Sequence, residues 1–387
     1  MRAIAAFLVF FHHHPTTALV IGPLRLWREM HVGVTLFFVL SGLVITWRYD
    51  DPADDRIRPI GTYFLNRFAR IYPLYLVLVI PTLLLRHQTS GLMWFLNLTL
   101  FKGFSDTYKL AGIGQSWSLT VEECFYATAP LLFLVWRRSK PLAFGIALAV
   151  LAALLSLATV PALAAIFGPP RFVLLYTYFG RFFEFFVGVW LAKRLSGWRP
   201  VAARRSPALP GWTLAGGAGI IGVIFALAAL GRADPLSYGL YAPPGIALNN
   251  VVLPFFIAAL YWGLVTEPSW IRSVLSTRLG GLLGRSSYAF YLIHQGAVLV
   301  AITGLLVSAS ALLGAGAAGA AKSFLAAPAG LFLFVVLLSF ALYELIEHPA
   351  NRLIRRWGSP PSTAKPGPPP RDDESGSPAP GPTVRTA

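Results

Sequence analysis

Several residues able to do chemistry lie inside long apolar runs of this chain. An ionisable side chain in a membrane helix costs about 2.5–3.5 kcal/mol on insertion scales, so each needs a reason to be there. Arg2 and His13 fall in the opening run. At 100° per residue they share one helical face, about 16 Å apart along the axis. This places Arg2 at the cytoplasmic surface and His13 near mid-bilayer. A neutral imidazole suits removal of a proton from a hydroxyl, which makes His13 a candidate general base. Packing against a neighbouring helix is the plainer alternative. His12, His13 and His14 point three ways, so one helix cannot use them together to chelate, and no metal is expected.

Three further groups follow. Arg67 and Arg70 are i,i+3 and face one way; two guanidiniums suit a phosphate-bearing donor, and positive-inside anchoring is their alternative. In Gln115-Ser116-Trp117-Ser118-Leu119-Thr120-Val121-Glu122-Glu123, acids enter an apolar run. Glu122 can orient an imidazole or bind hydroxyls, and Trp117 offers a face for a sugar ring. An interfacial Trp belt with solvated acids is the alternative there. Arg181 and Glu184, also i,i+3, can neutralise each other. His294 completes the set as a structural residue or part of the same cavity. Glu344 and Glu347 are placed to pair with basic inner loops. Ser41 lacks a nucleophile elbow, and beside Gly42 it suits helix packing.

These residues need a scaffold, and composition indicates which. Hydrophobic residues make up 56% and charged residues 12% of the chain, against roughly 25% charged in soluble domains. Apolar runs of about 20 residues recur, and helices satisfy their own backbone in lipid. Candidate spans are 3–22, 32–47, 72–85, 119–136, 142–167, 175–192, 211–230, 246–265, 288–308 and 329–346. If sides alternate from an inner N-terminus, 23 Lys and Arg fall inside and 8 outside, with Arg181 within a span. That is the positive-inside bias. It explains the net charge of +16 without nucleic acid. The expectation is an all-α polytopic membrane protein of an inner (cell) membrane: a bundle of about ten transmembrane helices, both termini cytoplasmic. Residues 1–356 read as one membrane domain. Residues 357–387 read as a disordered Pro/Gly/Ser-rich cytoplasmic tail. The single cysteine, Cys124, excludes an internal disulfide and a multi-cysteine metal site.

In their order, these residues resemble the membrane-bound acyltransferase family 3, which includes O-acetylases of bacterial surface polysaccharides. Arg2 and His13 match its arginine–histidine signature. Gly33 to Gly42 is similar to its second-helix block, and Arg67-Phe68-Ala69-Arg70-Ile71-Tyr72-Pro73 to its paired-arginine block. Trp117-Ser118-Leu119-Thr120-Val121-Glu122, with Phe125, Tyr126 and Pro130, resembles its tryptophan block. The stretch from Leu283 to His294 and the closing Glu347-His348-Pro349 fit as well. Each block alone is weak; together and in register they are specific. Family members usually carry several residues before the arginine, whereas Met1 directly precedes Arg2 here. No hydrolase-like domain of the kind some relatives carry is expected after the bundle.

The resemblance implies an acyl-CoA co-substrate, most often acetyl-CoA, with no bound cofactor. The implied acceptor is a hydroxyl of a glycan or glycosylated small molecule. His13 and Glu122 are then catalytic, with His13 as general base or transient acyl carrier. Arg2, Arg67 and Arg70 bind the donor, Trp117 and Ser118 the acceptor, and Arg181, Glu184 and His294 support the site. A secondary transporter or flippase with a proton relay of Arg, Glu and His is the rival; a transporter releases no free coenzyme A.

Overall fold

The computed structural model describes residues 1–14, 20–21, 24–50, 59–159, 168–196, 210–233 and 238–357. The expected tail lies, from residue 358 on, outside the described residues. Helices dominate: α1 (Arg2–His13), α2 (Val32–Tyr49), α3 (Ile60–Leu85), α4 (Gly91–Leu98), α5 (Trp117–Arg138), α6 (Lys140–Thr159), α7 (Pro170–Tyr176), α8 (Tyr178–Leu195), α9 (Gly211–Leu230), α10 (Pro243–Ala247), α11 (Leu253–Thr266), α12 (Trp270–Leu275), α13 (Arg278–Ile293), α14 (Gly296–Ala311), α15 (Ala315–Ala326), α16 (Pro328–Leu342) and α17 (His348–Trp357). Single π-turns occupy Leu248–Val252 and Tyr343–Glu347. Val20–Ile21 (β1) and Leu24–Arg25 (β2) form a small antiparallel pair that the all-helical reading did not anticipate.

Among the described residues, seven helical stretches are long and apolar enough to cross a membrane, or eight if the bent pair α13–α14 is one span. Arg2–His13 and Lys140–Leu154 are shorter apolar helices. Two large buried clusters and a small third one around Phe172 hold the described part of the bundle. One large cluster joins Phe10, Phe38, Tyr75, Phe125, Phe185 and Phe290. The other large one joins Leu36, Leu191, Ile224 and Ile257. Helices α2 and α8 serve both, and they cross closely at Gly42 and Gly188, where a Cβ on either would enter the other's backbone. Small residues at such crossings are the membrane-bundle rule.

Three expected boundaries change. α1 stops at His13 instead of running to 22, because Pro15 biases His14 away from helical geometry; His14 has φ −119 and ψ 88. α3 starts at Ile60, not 72, and runs unbroken through Pro73 and Pro81. The expected span 288–308 is two helices meeting at 96°. There the last carbonyls of α13 are taken by side chains from elsewhere. Gln115 Nε2 donates to Leu292 O at 2.6 Å and Tyr291 O at 3.2 Å, and His14 Nε2 lies 2.8 Å from His294 O. Gly296, at φ +73, takes the left-handed turn that lets the chain leave.

The ends of the helices gather into two groups. At one end, buried Asp50 after α2 holds Arg137 of α5 at 2.5 Å and also Lys193 of α8. There Arg67 of α3 meets Tyr49 of α2, and Asn351 of α17 donates to Ala69 O at 3.0 Å. At the other end, His12 Nδ1 lies 2.7 Å from Arg28 O, and Gly239 N donates to Glu29 at 2.9 Å.

Candidate active site

Each end of the bundle opens into a cavity. The first, about 660 Å³, is lined by Arg2, Arg48, Arg67, Arg70, Arg285 and Arg355, with Glu122 and Glu347 among them. Arg2 comes from the first turn of α1, and Arg67 and Arg70 from one face of α3. Arg67 Nη2 donates to Tyr49 OH at 3.2 Å, and its guanidinium lies 5.3 Å and 5.5 Å from the Tyr49 and Tyr126 rings. Arg70 pairs with Glu347 and lies 5.4 Å from the Tyr288 ring. The expected pairing of a late glutamate with a basic segment is thus made by Glu347.

Glu122 lines this arginine cavity and not the one holding His13. Its carboxylate accepts from Ser41 Oγ at 2.7 Å and from Tyr126 OH at 3.0 Å. The structure therefore does not bring Glu122 to the His13 imidazole. Ser41, read from sequence as a packing residue, has a polar partner after all. Ser118, read as an acceptor contact, also lines the arginine cavity, with its hydroxyl 2.8 Å from Tyr291 OH. Ser118 and Glu122 are one turn apart on α5 and line the arginine cavity, where Ser118 meets Tyr291 of α13 and Glu122 meets Ser41 of α2, while Trp117 lines the opposite cavity.

That second cavity, about 400 Å³, is lined by His12, His13, His31, Trp117, Arg181 and Gln295, with Tyr176, Tyr238 and Tyr241 around it. The His13 ring stands 4.7 Å from that of His12 and 5.3 Å from that of His294. His294 is fully buried, and its Nδ1 lies 2.7 Å from Tyr291 O. It sits at the break after α13, where the sequence placed it inside a continuous span. Trp117 packs edge-on to Tyr176 at 4.8 Å.

Arg181 enters this cavity from a buried frame. Nε lies 3.1 Å from Glu184, Nη1 donates to Asn250 at 3.0 Å, and Nη2 donates to Thr35 at 2.9 Å. Asn250, on the first π-turn, is itself held by donation to Leu174 O and Gly180 O. A π-turn slips the register of a helix by one residue, which re-aims side chains at such sites. Thr35, Asn249, Asn250, His31 and Tyr176 were not singled out from sequence. They are ordinary polar residues in loops or apolar runs, and only the fold collects them.

The loop before α5 has its own strut. Lys102, fully buried, donates to Ile113 O at 2.6 Å and to Ala111 O. Burial pushes its ammonium pKa down to about 7. The strut fixes the segment that delivers Gln115 and Trp117.

Comparison with known proteins identifies the family. The acyltransferase domain family matches residues 1–344, and the chain belongs to that family. It is a membrane-bound O-acyltransferase. The chain is 28% identical over 374 residues to the acyltransferase MdmB of Streptomyces mycarofaciens, covering 84% of this chain and 82% of that protein. It is also 28% identical over 136 residues to nodulation protein 10 of Rhizobium leguminosarum bv. viciae, covering 28% of this chain and 34% of that protein. No solved structure matches.

Proposed function

We propose that the chain moves a short acyl group, acetyl in the first instance, from acyl-CoA to a hydroxyl of a carbohydrate or glycosylated acceptor. One observation carries this: an arginine-lined cavity and a histidine- and aromatic-lined cavity share wall residues within one bundle. The arginines suit the phosphates of coenzyme A. Trp117 and the tyrosines suit the face of a sugar ring. The acceptor oxygen attacks the thioester carbonyl carbon, the carbon–sulfur bond breaks, and the hydroxyl proton leaves through His13 to the departing thiolate. If His13 carries the acyl group, its nitrogen attacks first and the acceptor follows. Arg181 supports the site electrostatically.

The same reading puts the arginine end in the cytoplasm of a bacterial inner membrane, with both termini there. Counting the bent pair and both shorter helices as crossings gives about ten, as the charge bias anticipates. The test is release of free coenzyme A by purified protein in detergent, with acetyl-CoA and a panel of glycosides. Turnover that needs a hydroxyl acceptor supports the reading, and none with any acceptor refutes it.

A further inference from the structure

Val34 and Tyr291 line both cavities. We infer that these two side chains form a rigid aperture that sets the length of acyl group the protein transfers; this rests on the donor and acceptor reading above. A donor held by the arginines presents its thioester to an acceptor beside His13 across this shared wall, so the acyl chain must be accommodated there. Both residues are nearly inaccessible, at 8% and 6% exposure. Tyr291 cannot easily swing aside. Its hydroxyl is 2.8 Å from Ser118 Oγ and donates to Gln115 O at 3.2 Å, and its ring meets Phe37 edge-on at 5.7 Å. Breaking buried hydrogen bonds of this kind is costly.

Val34 is held equally firmly. It is β-branched, so its χ1 rotamer in a helix is nearly fixed. The preceding Gly33 lets α2 approach α1 so closely that a Cβ there would run into Ala5 O and Val9. The helix bearing Val34 is thus seated against the helix bearing Arg2 and His13. An aperture walled by a branched aliphatic group and a pinned phenol rejects added methylenes by steric exclusion, and a pocket typically discriminates one methylene by about 10–200-fold.

The test uses full-length protein with acetyl-, propionyl-, butyryl- and hexanoyl-CoA, reading free thiol at saturating acceptor. For the wild type, kcat/KM should fall steeply along the series. Val34→Ala should raise the butyryl-to-acetyl ratio about ten-fold, and Val34→Ile should lower the propionyl-to-acetyl ratio. Tyr291→Phe, which keeps the ring but frees it from both oxygen partners, should broaden the profile in the same direction as Val34→Ala. If either Val34 variant keeps acetyl transfer with an unchanged chain-length profile, the aperture assignment is wrong while the donor reading stands. Wild-type protein inactive with every thioester overturns the donor reading itself, and the aperture with it.

Discussion

The imidazoles of His13 and His294 face each other with ring centroids 5.3 Å apart, one lining a cavity and the other fully buried. The pair assigns different tasks to the two rings. His13→Gln keeps polarity and approximate size but cannot accept a proton near neutrality. General-base assistance is worth about 10²–10⁴-fold, so this variant should lose at least that much transfer while still inserting and folding. His294→Gln should act more on stability, because His294 Nδ1 closes onto Tyr291 O at the helix break. Near-normal transfer by folded His13→Gln protein would show that the ring packs and does not react.

The order of substrate binding separates the two roles proposed for His13. A carrier gives ping-pong kinetics and a burst of free coenzyme A before acceptor is added. A base gives a ternary complex and no release without acceptor. Initial-rate patterns with both substrates varied decide between them.

Much of this arrangement was legible in the sequence, for a physical reason. Arg67, Arg70, Glu122, Arg181 and His13 stand out because charge and imidazole are expensive in apolar helices. Helix cores such as Gly211–Leu230 follow directly from apolar run length. What stayed hidden depends on contacts distant in sequence. The break after α13 is made by Gln115 and His14, residues far from 293. The assignment of Glu122 to the arginine cavity depends on Ser41, which only the packing of α2 on α5 brings within reach; Tyr126 is one turn further along the same helix.

The Lys102 strut predicts a pH dependence of stability. Its pKa falls from 10.5 to about 7 on folding. Between those values the unfolded chain binds more protons than the native one, so this residue's contribution to stability rises with pH. Below about 7 the penalty for burying the charge is constant. The melting temperature of the wild type minus that of Lys102→Met should therefore grow from pH 7 toward pH 10. A difference independent of pH would show that the amine titrates alike in both states.

The buried frame around Arg181 makes an asymmetric prediction. Arg181→Ala strips Glu184 of its only charged partner among the described residues, and a broken buried pair typically costs about 3–5 kcal/mol. Asn250→Ala removes one acceptor of Arg181 and two donations to backbone carbonyls, so it should destabilise by less. Thermal melts in detergent give the ranking, and the reverse order would mean that the pair is ionised weakly or not at all.

Arg67 and Arg70 should behave differently despite sharing a helix face. Arg67 leans on tyrosines and has no acidic partner in the contacts described, so its charge is available to a phosphate. Arg67→Ala should raise the KM for acyl-CoA with a smaller effect on the KM for acceptor. Arg67→Lys should recover only part of the loss, because a point charge cannot reproduce the planar fork. Arg70 is already paired with Glu347, whose side chain is only 2% exposed. Arg70→Ala leaves that carboxylate buried without its partner, a loss of about 3 kcal/mol in such pairs. Its first symptom should therefore be a lower melting temperature and a smaller active fraction, with a donor KM change on top. Adding Glu347→Gln to Arg70→Ala should restore much of the stability without restoring donor affinity. Full recovery of donor affinity in the double variant would show that Arg70 serves the fold alone, and no recovery of stability would show that the two residues are not coupled.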